Sequence, residues 1–172
     1  MEKQGSQAIR SVCFKTLGCK LNQSETDAIQ HKFTEKGYQI KSYGEPADLT
    51  IINTCTVTNS ADSGSRAAIR QAIRNSPKGR IAVTGCYAQV SPDEIKSIQG
   101  VDMILGNDEK YKIFNYLDEI REGKIEEPLV YVNDEGGFAQ VSEDGFVSAT
   151  SRARAFLKVQ EGCNYYCSYC II

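Results

Sequence analysis

Seven cysteines and one histidine stand in a chain of 172 residues, and the cysteines are where this sequence offers chemistry. Three lie together as Cys163-Asn-Tyr-Tyr-Cys167-Ser-Tyr-Cys170, a C-x3-C-x2-C spacing. Three thiolates this close can hold three corners of an iron–sulfur cubane and leave the fourth iron open to an exogenous ligand. The spacing differs from the ferredoxin run C-x2-C-x2-C-x3-C-P, whose clusters transfer electrons. Structural zinc is the alternative, but it takes four closed ligands and this run supplies three. A second set is dispersed: Cys19 in Leu-Gly-Cys-Lys-Leu-Asn, Cys55 in Asn-Thr-Cys-Thr-Val-Thr and Cys86 in Thr-Gly-Cys-Tyr-Ala-Gln. Disulfides explain neither set. The first ten residues are polar, without the apolar core of a secretory signal, cytosolic thiols stay reduced, and an odd count leaves one cysteine over.

The elements that must position these residues alternate along the first two-thirds of the chain. Ser11–Thr16 reads as a strand, and residues 24–36 as an amphipathic helix with Ser24 as its N-cap and Gly37 at its end. Strands are expected at 38–43, 49–53, 80–84 and 101–105, and helices at 61–75, from Ser91 onward, and at 111–121. Such alternation points to an α/β domain, an open and mainly parallel sheet with helices on both faces. Cys19, Cys55 and Cys86 each follow an expected strand by a few residues. Ligands of open α/β sheets bind beyond the carboxyl ends of the strands, so three such cysteines would converge. Singly, each reads as a small buried hydrophobe near a helix start; together they read as a shared site.

Residues 9–122 form this domain. From 123 to 152 the composition turns to acid, glycine and serine, a linker with an extended stretch at 129–132. Residues 153–172 open a new strand-like run and the last cysteine cluster, which is the start of a further domain rather than a domain. The chain thus reads as the front part of something longer.

Composition is that of a soluble globular protein, 41% hydrophobic and 24% charged. No apolar run approaches the ~20 residues of a membrane helix, so a cytoplasmic protein without a membrane partner is expected. The net charge of −2 divides unevenly: residues 1–80 carry 12 Lys/Arg against 7 Asp/Glu, and residues 81–172 carry 8 against 15. Arg66, Arg70 and Arg74 make a basic stripe, either a track for nucleic-acid phosphates or the wet face of an amphipathic helix. Cys13, between Val12 and Phe14, reads as packing, and His31 as an ordinary helix residue. Tyr165, Tyr166 and Tyr169 either shield a cluster or stack a base.

Four stretches carry a resemblance. Lys15-Thr-Leu-Gly-Cys-Lys-Leu-Asn22, Asn53-Thr-Cys-Thr-Val-Thr-Asn-Ser-Ala-Asp62 and Val83-Thr-Gly-Cys-Tyr-Ala-Gln89 resemble the N-terminal domain of the methylthiotransferases. Phe156-Leu-Lys-Val-Gln-Glu-Gly-Cys-Asn-Tyr-Tyr-Cys-Ser-Tyr-Cys170 is similar to the start of their radical S-adenosylmethionine barrel. The resemblance implies an auxiliary [4Fe–4S] cluster on Cys19, Cys55 and Cys86. It implies a second [4Fe–4S] cluster on Cys163, Cys167 and Cys170, whose open iron chelates S-adenosylmethionine. A methylthio group would be inserted at an unactivated carbon, with electrons from a flavodoxin- or ferredoxin-type donor. The wording of the first motifs is most like the branch acting on N6-threonylcarbamoyladenosine beside the tRNA anticodon. Related branches act on isopentenyladenosine in tRNA or on an aspartate of a ribosomal protein. Because the sequence stops two residues after Cys170, the barrel is truncated and the fragment alone is expected to be inactive. Two readings of other classes remain beside it: a non-catalytic iron–sulfur carrier, and a flavodoxin-like FMN module. The loop holding Cys19 lacks the phosphate-cradling residues that the FMN module needs.

Overall fold

The computed structural model describes residues 8–121, 127–133, 165 and 167–169. Six strands, β1 (Ser11–Thr16), β2 (Gln39–Lys41), β3 (Leu49–Thr54), β4 (Arg80–Gly85), β5 (Met103–Leu105) and β6 (Leu129–Tyr131), form one sheet in the order β2-β1-β3-β4-β5-β6. Every ladder is parallel, because each strand is followed by a crossover that returns the chain to the same end. The connections run through helices α1 (Lys20–Glu35), α2 (Asn59–Asn75), α3 (Cys86–Val90), α4 (Pro92–Lys96) and α5 (Leu117–Arg121), the last preceded by a 3-10 turn at Glu109–Asn115. The expected open α/β sheet is therefore present, and the extended stretch inside the 123–152 segment is its edge strand β6.

Period-two alternation divides the apolar residues between the faces. Leu49 and Ile51 of β3, Ala82 of β4, and Met103 and Leu105 of β5 pack with Ile29 and Phe33 of α1 and with Ile113 and Leu117. Ile52, Ile81, Val83 and Ile104 turn the other way, against Ile69 and Ala72 of α2, Ala88 of α3 and Ile95 of α4. Burial on both faces explains why all six residues of β3 are buried, with Ile51 and Ile52 turned to opposite faces. Phe33 anchors α1 through edge contacts with Phe14 at 5.7 Å and Tyr38 at 5.0 Å.

Polar contacts fix where the strands begin. The Asp48 carboxylate, just before β3, accepts hydrogen bonds from the Arg10 and Ser11 amides at 3.0 and 2.9 Å and from the Ser11 hydroxyl at 2.8 Å. Asp102 does the same for β4, accepting from the Ile81 amide and from Arg80, both at 2.8 Å.

Helix boundaries differ most from the sequence expectation at 111–121, which divides into the 3-10 turn at Glu109–Asn115 and α5, and at α1. Helix α1 starts at Lys20 with Cys19 as its N-cap, and Ser24 is a buried residue inside it. The reason is tertiary. The polar residues Asn22, Ser24, Glu25 and Thr26 of its first turns are buried against the sheet edge, so no apolar period marks them in the sequence. Short α3 was likewise not anticipated; it is the single turn by which Cys86 leaves β4.

Candidate metal centre

Strands β1, β3 and β4 are neighbours in the sheet, so Cys19, Cys55 and Cys86 all leave its carboxyl edge. Cys19 is the N-cap of α1, Cys86 the first residue of α3, and Cys55 follows β3 directly. Helices α1 and α2 leave to opposite faces, which makes the β1–β3 boundary the topological switch point where open sheets bind ligands.

Two glycines let the backbone reach this arrangement. Gly18 and Gly85, immediately before Cys19 and Cys86, hold φ of +94° and +95°, a region that a side chain disfavours. A Cβ on Gly18 would stand 2.6 Å from the Cys55 Cβ and 2.9 Å from its Sγ. Gly18 therefore lets the Cys19 loop press against Cys55. A Cβ on Gly85 would collide with Asn53 and the Thr54 backbone.

Beneath the thiols lies a layer of buried polar side chains. Asn22 donates through Nδ2 to the Leu17 and Thr54 carbonyls at 2.9 and 3.0 Å, and its Oδ1 lies 3.7 Å from the Cys19 thiol. One side chain thus ties the loops of Cys19 and Cys55. Asn53 donates to the Asn22 carbonyl and to the Thr26 hydroxyl at 3.0 and 3.2 Å. The Ser65 hydroxyl, from α2, donates to the Cys55 carbonyl at 3.0 Å and accepts the Cys55 amide at 3.4 Å. Lys110 and Glu25 form a buried ion pair at 2.7 Å. Two further buried atoms, Asn53 Oδ1 and Thr84 Oγ1, have no partner among the described residues.

Exposure grades across the triad: Cys55 is buried, Cys86 intermediate and Cys19 exposed. Burial pushes the Cys86 thiol up, the neighbouring Cys55 adds to the rise, the Lys110 ammonium opposes it, and Glu25 and Cys19 add smaller increments. The three cysteines thus share one electrostatic neighbourhood. Among the described residues, no three His, Cys, Asp or Glu side chains are grouped tightly enough to share a single metal ion. Zinc brings every sulfur to one centre, whereas a cubane gives each thiolate its own iron. Three soft thiol donors, with glycines behind two of them, are a donor set that suits an iron–sulfur cluster.

The other sequence candidates fall elsewhere. Cys167 is exposed, as are Tyr165 and Tyr169; Cys163, Cys170 and Tyr166 lie outside the described residues. Cys13 is buried in β1 with its thiol 3.6 Å from the Ser42 carbonyl, and His31 is partly exposed beside Glu35 at 3.6 Å. In the basic stripe, Arg66 donates to the Tyr87 hydroxyl at 2.9 Å and lies 3.4 Å from Glu94, while Arg70 and Arg74 are exposed. Asn22, Asn53, Ser65, Glu25 and Lys110 were not anticipated as site residues. Only Asn22 and Asn53 carry a sequence signal, because they lie within three residues of a motif cysteine.

Residues 11–106 match the model of the family described as "Uncharacterized protein family UPF0004". The chain is 49% identical over 163 residues to the threonylcarbamoyladenosine tRNA methylthiotransferase MtaB of Bacillus subtilis, covering 94% of this chain and 36% of that protein. It is 44% identical over 161 residues to the enzyme of the same name from Aquifex aeolicus, covering 94% and 39%. To the ribosomal protein uS12 methylthiotransferase RimO of Caldicellulosiruptor saccharolyticus it is 35% identical over 164 residues, covering 94% and 37%. The chain thus spans well under half the length of these curated relatives. Among the described residues, no helix is long and apolar enough to cross a membrane.

Proposed function

The chain belongs to the methylthiotransferase family through its UPF0004 domain, and from that premise we propose that it is the auxiliary-cluster part of a tRNA methylthiotransferase acting on N6-threonylcarbamoyladenosine. The observation that carries the reading is the gathering of Cys19, Cys55 and Cys86 at the carboxyl ends of three adjacent parallel strands. Identity with two enzymes of that name supports the substrate.

In this reading Cys19, Cys55 and Cys86 hold a [4Fe–4S] cluster, and Cys163, Cys167 and Cys170 hold a second that binds S-adenosylmethionine. When bound, the auxiliary cluster supplies an iron without a protein ligand, a place for the sulfur to be transferred. The rest is done by the chain. Asn22 and Ser65 fix the loops of Cys19 and Cys55 through paired hydrogen bonds. Cys19 is the exposed thiol of the three and Cys55 the buried one. The work belongs to the cytoplasm, where tRNA and a flavodoxin- or ferredoxin-type electron donor are at hand.

Iron, acid-labile sulfide and zinc, assayed per chain after anaerobic reconstitution, test the metal assignment. With Cys163, Cys167 and Cys170 replaced by Ala, about four iron and four sulfide are expected, falling away when Cys19, Cys55 or Cys86 is also replaced. Unchanged loading in all three of those variants, or zinc without sulfide, overturns the assignment. The substrate is tested by mass spectrometry of tRNA nucleosides after disruption of the chromosomal gene. Loss of the methylthio group from threonylcarbamoyladenosine is expected, and its retention overturns that part.

A further inference from the structure

Helix α2 carries a charge pattern that the metal centre does not use. From Ser63 to Lys78 the sequence holds Arg66, Arg70, Arg74 and Lys78, one every four residues, and no carboxylate. Like charges one turn apart weaken a helix, so helix stability does not account for the pattern. The fold divides the four cations. Arg66 is drawn sideways onto the Tyr87 hydroxyl at 2.9 Å and toward Glu94 at 3.4 Å. Arg70, Arg74 and Lys78 are exposed and, among the described residues, make no ion pair. Ser63, Ala67 and Gln71 are exposed on the same helix, so the cations stand among uncharged neighbours. On the flank of α2, Tyr43 donates to the Ala68 carbonyl at 3.1 Å and carries the Lys15 ammonium over its ring at 4.7 Å.

We propose that this face of α2, through Arg70 and Arg74, docks the phosphate backbone of the tRNA beside the cysteine edge. The inference rests on the tRNA reading above and names the surface that the tRNA would use. A protein partner fits the face less well. Protein interfaces centre on buried aromatic or aliphatic anchors, and none of the large exposed apolar side chains among the described residues lies on α2. Phosphate oxygens take guanidinium groups in bidentate fashion, and small neighbours such as Ser63 and Ala67 let a backbone come close. The charge of the chain also orients a polyanion. Lys and Arg outnumber Asp and Glu in residues 1–80, which contain α2, and the reverse holds in 81–172, so the first half attracts what the second repels. Placement gives the track a direction. Ser65 of the same helix holds the Cys55 backbone, and Arg74 lies about 14 Å further along the helix axis. A strand laid over Arg74 and Arg70 therefore runs toward Cys55.

The test is binding of a fluorescently labelled tRNA transcript to the reconstituted chain, read by anisotropy across a series of salt concentrations. Arg70→Gln with Arg74→Gln is expected to weaken binding by about tenfold or more at roughly 50 mM salt, and to reduce the slope of log K against log salt by about 1.5–2. Arg70→Lys with Arg74→Lys, which keeps both charges, is expected to keep the parent slope. Lys36→Gln with Lys112→Gln removes the same charge from exposed positions beside Phe114 and Ile113, on the opposite side of the sheet, and is expected to leave the slope unchanged. Because Arg70 and Arg74 are exposed, urea midpoints and iron loading should match the parent in every variant, which checks that the fold is intact. Equal losses in the two glutamine pairs, an unchanged slope without Arg70 and Arg74, or no tRNA binding by the parent chain at low salt overturns the proposal. So does a glutamine pair at 70 and 74 that keeps its affinity for tRNA and loses it for a flavodoxin, which would make the face a protein dock. The substrate reading is judged apart, by the nucleoside analysis. Retention of the methylthio group there, with tRNA binding that still depends on Arg70 and Arg74, would strike the substrate alone.

Discussion

Replacing Gly18 by Ala puts the close approach of the Cys19 loop to Cys55 under direct test. Two costs are expected. Holding an L-residue in the left-handed region costs about 1–2 kcal/mol, and Gly18 sits there at φ +94°. Its new methyl would also meet the Cys55 Cβ at 2.6 Å and Sγ at 2.9 Å, an overlap that costs about 1–3 kcal/mol in a packed region. The sum, about 2–5 kcal/mol, is a large part of the ~5–15 kcal/mol that stabilises a domain. Gly37 is the control, for it too has positive φ, +81°, but nothing lies within 4 Å of a Cβ there. Gly37→Ala should therefore show the backbone cost alone, about 1–2 kcal/mol. In urea, with a slope of about 2 kcal/mol/M, the two midpoints should differ by roughly 0.5–1.5 M. Gly18→Ala should also lower iron and sulfide uptake, because the methyl displaces a proposed ligand, whereas Gly37→Ala should leave uptake unchanged. Equal midpoints for the two variants would refute the packing argument, and full iron uptake by Gly18→Ala would separate that packing from metal binding.

Two further outcomes follow from the same contacts. Ser65→Ala removes the hydroxyl that both accepts from and donates to the Cys55 backbone. It leaves buried groups unsatisfied, and a loss of about 1–3 kcal/mol is expected in urea unfolding, with slower cluster loading. Asp48 gives a pH dependence. Burial works to raise its carboxyl, but hydrogen bonds from Arg10 and Ser11, with help from Lys41, outweigh burial and hold it below the usual carboxylate range. Its contribution to stability is thus present above the unfolded value of about 3.9 and is lost as pH falls through the lower folded value. Unfolding midpoints across that acid range should fall more steeply for the parent chain than for Asp48→Asn; parallel curves would refute the assignment.

Much of the fold was legible because the sheet is covered on both faces. Short strand-like segments such as 49–53, separated by helix-length segments, admit few arrangements other than parallel strands with crossovers. Helix α2 was legible for a related reason, since Ala68, Ile69 and Ala72 recur at helical spacing above the sheet. The start of α1 was not. Asn22, Glu25 and Thr26 are buried by partners that lie far along the chain, and local periodicity carries no trace of such partners. The 3-10 turn at Glu109–Asn115 was read as part of one continuous helix, 111–121, because Tyr111 and Phe114 pack at a spacing that serves either geometry.

By itself the sequence determined that three cysteines follow strand ends, for residue type and spacing are local properties. Strand order was decided only in three dimensions. It is the adjacency of β1, β3 and β4, set by which faces the crossovers take, that brings Cys19, Cys55 and Cys86 to one edge. A buried ion pair was equally invisible. Lys110 and Glu25 lie far apart in sequence, and burial in a common interior made them a pair. Burial is a property of the packed whole, and no window of residues contains it.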